Sequence, residues 1–293
     1  MRTTNLVPGE REPVIANIQK AVAKNQFNAK VEVSDAKLSS EQEREILTNY
    51  LKHYNHFGYK FNNIFADELS DIGISLVSRQ TEIVGLENMR NVSGGGIVTS
   101  NHFNPMENLA VRKAMKKAGK GQIFMVSQLA NLKMPGILGY IMTYSDTIPI
   151  DDSTDYMGHQ FPEQLQQILA KDRLILIYPE QEMWFNYRKP RPPKRGAYYY
   201  AARFKVPIIS CFVEIRDLDK MESDTFKEVS FVCHILKPIY SDPTKSVREN
   251  SLMMMHKDYA QKCNAYEKAY GKPLTYDFEP SDIAGWAPPD KTK

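Results

Sequence analysis

Apolar residues along this chain follow two rhythms. Between residues 40 and 64 they recur every three or four positions, at Ile46, Tyr50, Tyr54, Phe57, Phe61 and Ile64, the period of a helix with one apolar face. Ser40 with Glu43 three residues on has the capping-box spacing, which predicts where this helix opens. From about residue 79, short apolar runs alternate with helical segments. Strands are predicted at Thr81–Val84, Gly96–Thr99, Gln122–Val126, Thr147–Ile150, Leu174–Tyr178, Val206–Val213 and Phe231–Leu236. Helices are predicted over 105–118, 162–171, 195–204 and 244–270, with another helical segment interrupted at Pro135-Gly136. This alternation implies an α/β fold, a mostly parallel sheet flanked by helices with an N-terminal amphipathic helical segment.

The ends are patterned less clearly. Residues 1 to about 37 read as an arm with one short helix near Ile15–Ile18. The last twenty residues, with Pro280, Pro288 and Pro289, read as an extended tail. The expected organisation is an arm and amphipathic helix over 1–75 that packs on the core, an α/β domain over 76–272, and the tail over 273–293. An aromatic-rich apolar face such as that of residues 46–64 ordinarily docks on the core. The alternative is a face that dips into a lipid interface, although its polar side carries both signs of charge. The last helix places Leu252, Met255, Tyr259, Cys263, Tyr266 and Tyr270 on one face.

Composition narrows the class. At 293 residues, 42% hydrophobic and 25% charged, the chain has ordinary globular values and enough length for a sizeable core. A formal charge of +3 is too small for a general nucleic-acid binder. Cys211, Cys233 and Cys263 are odd in number and lack CxxC spacing, so neither a disulfide framework nor a zinc site is expected. Cys211 and Cys233 lie in strand-like runs and are expected to pack as small hydrophobes. Met1-Arg-Thr-Thr is not followed by an apolar stretch, and no apolar run approaches the ~18–20 residues that span a bilayer. The expectation is a cytoplasmic protein whose membrane contact is peripheral, on the inner face.

The chemistry-bearing segments are Thr99-Ser-Asn-His-Phe-Asn-Pro-Met-Glu107 and Tyr178-Pro-Glu180. The first puts a histidine and a carboxylate at a strand-to-helix turn, and the second ends a buried strand with another carboxylate. Both lie just past carboxyl ends of predicted strands, where sites in parallel sheets gather. A histidine held by a carboxylate is the minimal apparatus for activating a hydroxyl. Asn104 suits an N-cap, Pro105 the first helical position and Glu107 the third, so Glu107 is equally placed to close a capping box. The two roles are compatible.

Asn101-His102 followed by Glu107 resembles the NHxxxxD block of the glycerolipid acyltransferases, with Glu for Asp. Tyr178-Pro-Glu180 is similar to the start of their FPEGTRS block. Pro135-Gly-Ile-Leu-Gly139, Ile148-Pro-Ile-Asp151, Lys194-Arg-Gly-Ala197 and Val206-Pro-Ile-Ile209 resemble further blocks, in order, over residues 80 to 240. The resemblance implies His102 as base and Glu107 as its orienting acid. It implies acceptor positioning by Glu180, with Asn101 as a substrate contact beside the base, and neither metal nor organic cofactor. The implied partners are an acyl donor (acyl carrier protein, coenzyme A thioester or acyl phosphate), a lysolipid acceptor such as lysophosphatidic acid, and a membrane surface.

Two departures stand out. Gln181, Glu182 and Met183 replace the family's glycine, threonine and arginine, and Asp152 stands where an arginine often follows Asp151. Compensation is expected from the basic stretch Arg188-Lys189-Pro-Arg191-Pro-Pro-Lys194-Arg195, with Arg188, Lys194, Arg195 and Gly196 as phosphate or lipid contacts, or else the stretch is a solvated loop. Trp184-Phe185 and Tyr198-Tyr-Tyr200 suit core packing or an acyl channel. The rival functions are a hydrolase using the same His/Glu site and a lipid-binding relative without catalysis. The altered blocks favour the second rival; the retained His102 and Glu107 speak against it.

Overall fold

The computed structural model describes residues 11–33, 38–54, 56–78, 81–134 and 136–287. Three helices come first: α1 (Arg11–Ala23), α2 (Ser40–His53) and α3 (Phe57–Ser78). The strands and helices that follow are β1 (Thr81–Val84), β2 (Gly96–Thr99), α4 (Glu107–Lys117), β3 (Ile123–Gln128), α5 (Gly136–Tyr144), β4 (Thr147–Ile150), α6 (Phe161–Leu169), β5 (Leu174–Ile177), α7 (Gly196–Phe204), β6 (Ile208–Met221), β7 (Lys227–Ile235) and α8 (Val247–Tyr270).

Among the described residues one sheet of seven strands runs in the order β1-β7-β6-β2-β5-β3-β4. Every neighbouring pair is parallel except β6 with β7, so β1 and β7 run against the other five. This is the expected α/β fold with a mostly parallel sheet. The central strands are apolar on both sides, as a doubly covered sheet demands. Val98, Leu174, Leu176 and Ile209 face one layer, which they share with Ala110, Val111 and Ala114 of α4. Ile97, Ile175 and Ile208 face the other, with Leu165 of α6, Ala197, Tyr198 and Ala201 of α7, and Met254 of α8.

Helix α2 opens one residue before the expected cap. Ser39 accepts from the Gln42 amide at 3.3 Å, and the Gln42 side chain accepts from Ser39 N at 2.8 Å, a complete capping box. The apolar face expected to run unbroken from Ile46 to Ile64 is divided between two helices. Ile46, Leu47 and Tyr50 are buried in the core, whereas Phe61 and Ile64 on α3 are exposed. The Phe57 side chain lies outside the described residues.

Helix α3 is inverted. Three of its polar residues point inward: Tyr59 donates to the Thr143 carbonyl at 2.8 Å, Asn63 to the Tyr144 carbonyl at 2.6 Å, and Asp67 accepts from Ser145 at 3.0 Å. Its outer face carries Phe61, Ile64, Phe65, Leu69 and Ile72, each 36–60% exposed. The helix packs on α4 and α5 by its polar side. At the start of α5, a Cβ on Gly139 would lie 1.5 Å from the Met134 carbonyl oxygen, so only glycine fits. Pro135 lies outside the described residues.

Beneath α3, burial raises the Asp146 carboxyl to about pKa 6, and the neighbouring charge of Asp67 adds to the rise. The folded form therefore holds this proton more tightly than the unfolded chain does. Its contribution to stability is full below about pH 4 and is lost as pH rises through about 6. Asp146→Asn should flatten the pH 4–6 slope and stabilise the protein at pH 7 by roughly 1–3 kcal/mol. Asparagine also tolerates the positive φ of 52° found there. Urea midpoints measured from pH 4 to 8 check this, and an unchanged slope would contradict it.

At the far end, residues 273–287 are docked rather than extended. Ile283 and Ala284 are buried, Phe278 and Trp286 pack with Trp184, Phe185 and α1, and Lys189 pairs with Asp282. Sparse local pattern concealed this, because the segment's partners are distant in sequence. Residues 288–293, with Pro288 and Pro289 of the expected tail, lie outside the described residues. Cys211 and Cys233 are buried as expected. Helix α8 buries Ser251, Met254, Asp258, Lys262 and Tyr266, a face rotated from the one its apolar residues suggest.

Candidate active site

Strand β2 delivers its chain to the sheet rim through four buried residues. Thr99, the last of them, is tied to α8: it donates to Asp258 at 2.9 Å and accepts from Lys262 at 3.0 Å. Tyr198 donates to the same Asp258 oxygen at 2.5 Å, so β2, α7 and α8 meet on one buried carboxylate. A Lys–Asp pair four residues apart on the last helix is visible in the sequence, but its burial is not.

The next residue but one, Asn101, is 1% exposed. Its amide donates to the Val213 carbonyl at 3.0 Å, and its oxygen accepts from Val213 N at 2.8 Å. The side chain thus imitates a strand neighbour and staples the turn to β6. This corrects its expected role as a substrate contact, since both ends of the amide are consumed.

His102 is partly exposed, and its Nδ1 donates to Glu107 Oε1 in a very short hydrogen bond. The other oxygen of Glu107 accepts from Phe103 N at 2.6 Å and Asn104 N at 2.5 Å. One buried carboxylate thus contacts both the imidazole and the backbone of the turn before α4. Helix α4 begins at Glu107 itself, later than expected, because Asn104 uses its side chain to accept from Met106 N at 3.0 Å in a preceding turn. A carboxylate only accepts, so Nδ1 carries the proton and Nε2 is left as a base. Among the described residues nothing bonds Nε2.

Tyr178 covers the imidazole. The rings stack with centroids 4.0 Å apart and planes 15° from parallel. Burial and the adjacent Glu107 charge push the Tyr178 phenol well above its usual pKa, so the ring is a neutral wall. The imidazole, Tyr178 and α4 all lie on one side of the sheet.

Glu180 is buried and holds protein rather than ligand. It accepts from His102 N at 3.2 Å, from Arg191 N at 2.9 Å and from Arg191 Nε at 3.0 Å. Arg191 also donates to the carbonyls of His102 at 3.1 Å, Phe27 at 2.9 Å and Glu182, and its guanidinium lies over Trp184. The Glu180–Arg191 pair therefore grips both polar groups of the His102 peptide. This corrects the assignment of Glu180 to the acceptor. Arg191, eleven residues on, supplies a guanidinium to Glu180.

The basic stretch is not a solvated loop. Arg188 pairs with Asp217 and Lys189 with Asp282. Lys194, Arg195 and Gly196 are exposed, but they start α7, which covers the opposite side of the sheet from the imidazole. A Cβ on Gly196 would meet nothing within 4 Å, so no close approach requires glycine there. The structure brings His102, Glu107, Glu180 and Asn101 together and sets Arg188 into a surface ion pair, and among the described residues no hydrogen bond or ion pair joins Lys194, Arg195 or Gly196 to His102. Trp184, Phe185 and Tyr198 are buried in core clusters. Among the described residues no three His, Cys, Asp or Glu side chains are grouped to hold a metal.

Residues 80–214 match the family model described as Acyltransferase. No curated protein matches the chain significantly. Among solved structures, the 1-acyl-sn-glycerophosphate (LPA) acyltransferase PlsC from Thermotoga maritima is similar at a TM-score of 0.48 and 16% identity, over 78% of this chain and 89% of that one. Residues 80–214 of this chain are thus similar to an acyltransferase domain.

Proposed function

We propose that this protein is an acyltransferase that moves a fatty acyl group from an activated donor to the hydroxyl of a lysolipid at a membrane surface. The observation that carries the reading is His102, held by buried Glu107 with Nε2 open, at the rim of an acyltransferase domain. Nε2 takes the proton of the acceptor hydroxyl as its oxygen attacks the acyl carbonyl carbon. The tetrahedral oxyanion collapses, the carbon–sulfur or carbon–oxygen bond to the donor breaks, and the leaving group takes the proton back from the imidazolium. Glu107 holds the tautomer and faces the positive charge as it forms. Tyr178 and the Glu180–Arg191 pair keep the ring and its peptide still, so little reorganisation accompanies the transfer. The acceptor hydroxyl is itself the nucleophile, and no acyl-enzyme is needed. The glycerolipid class rests on the ordered sequence blocks around His102 and Glu180.

The membrane surface is supported by α3. A water-facing helix that turns its hydrogen-bonding groups inward and five large apolar side chains outward is unfavourable in water and favourable at a lipid interface. No described helix is long and apolar enough to cross a bilayer, so the contact is peripheral. The test of the function is an acyl-transfer assay with acyl carrier protein, coenzyme A and phosphate donors against a panel of lysolipids; no transfer with any pair would sink it. Phe61→Ser with Ile64→Ser and Phe65→Ser should lower liposome binding at least tenfold without lowering stability. Unchanged liposome flotation would remove α3 from the interface.

A further inference from the structure

An open groove of about 610 Å³ runs along the outer side of α7, lined by Arg195, Tyr199, Arg203, Val247 and Arg248. Arg195, Tyr199 and Arg203 recur every four residues and so share one helical face, about 12 Å from first to last at the rise of an α-helix. The three guanidiniums are exposed, and among the described residues none of them forms an ion pair with a carboxylate. Three like charges around one concavity repel, and an anion offsets that repulsion. A single phosphate cannot span the row, so the ligand is an extended polyanion. Tyr199, 38% exposed, lies one turn from Arg195 and one turn from Arg203 on that face, a ring on which a base can lie while phosphates meet the flanking guanidiniums.

The size selects a small molecule over a protein. Sites for small ligands occupy roughly 300–1,000 Å³. A stable protein–protein contact needs about 20–30 residues a side, far more than line this groove. Its upper end adjoins the catalytic rim from behind: Lys194 N donates to the Pro179 carbonyl at 2.7 Å, and the next residue, Glu180, accepts from His102 N.

We propose that the groove along α7 binds the phosphorylated nucleotide end of the acyl donor, a coenzyme A-type thioester, with the acyl arm laid over the sheet rim to His102. The donor's role rests on the acyl-transfer reading above; nucleotide binding in the groove does not. The site faces away from α4 and the imidazole, so a water-soluble donor and a lipid acceptor approach from different sides.

Calorimetry with free coenzyme A tests the binding directly. Arg203→Gln with Arg248→Gln removes two exposed cations and no buried contact, so the fold is kept. The double variant should raise the coenzyme A Kd at least tenfold. In the transfer assay it should raise the KM for the coenzyme A donor by the same factor, leave kcat unchanged, and leave a short thioester lacking the nucleotide unaffected. An unchanged Kd would overturn the proposal. Inorganic pyrophosphate binding as tightly as coenzyme A would also overturn it, reducing the groove to a general anion patch. Arginine-dependent binding of acyl carrier protein in preference to coenzyme A would assign the groove to an acidic protein instead. If coenzyme A binds as expected while His102→Ala leaves transfer intact, the catalytic reading fails and the groove stands.

Discussion

Exchanging Glu107 for glutamine should slow acyl transfer about 10³-fold, with the KM values for donor and acceptor little changed. The cause is a tautomer. The two amides of Phe103 and Asn104 retain an oxygen acceptor if the glutamine oxygen occupies the Oε2 position. The amide nitrogen then faces His102 Nδ1 as a donor, so the imidazole proton moves to Nε2 and the base is gone. Because the backbone contacts survive, stability should fall by no more than about 1 kcal/mol, the scale of one hydrogen bond. Glu107→Asp keeps the charge but is one methylene shorter. It cannot serve the ring and both amides together, so an intermediate rate is expected. His102→Ala should abolish transfer without unfolding the protein, since the ring is partly exposed. Steady-state kinetics beside urea unfolding separate these outcomes. A glutamine variant within a few-fold of wild type would end the case for Glu107 as the orienting acid.

Replacing Arg191 with methionine should have the largest effect on stability, about 3–5 kcal/mol, because it strands the buried Glu180 carboxylate. Both members are nearly inaccessible, and Arg191 is bonded to three segments of chain, through Phe27, through His102 and through Glu180 and Glu182. The loss should be visible as a lower urea midpoint. Glu180→Gln combined with Arg191→Met removes both charges and should recover much of the stability, since an isolated buried charge is the main penalty. Activity should not recover with it, because the His102 carbonyl still lacks its guanidinium. A double variant as unstable as the single one would show that the two residues are not coupled. A stable double variant with full activity would show that the peptide of His102 needs no clamp.

These two residues mark where local pattern stops being informative. Glu107 was legible because its partners are near: His102 is five residues away, and Phe103 and Asn104 are on the same turn. Strand–helix alternation likewise determined the fold class, since period-2 and period-3.6 patterns are local consequences of which faces are buried. The sequence by itself therefore determined the α/β sheet, the pairing of His102 with Glu107 and the strand ends where they lie. Only the tertiary structure decided what the remaining charges do. Arg188, Lys189 and Arg191 read as one basic run, yet each meets a different carboxylate, two of them more than twenty residues away. The same limit applies to Asn101, spent on Val213 more than a hundred residues on, and to Asp258 and Lys262, buried beneath Thr99. It governs α3 as well, where an apolar face expected to seek the core points outward while its polar side bonds to α5 and the residue after it. A charge or an apolar stripe is a local property of the chain. Whether it is neutralised, buried or left facing solvent depends on partners that only folding brings within a few ångströms.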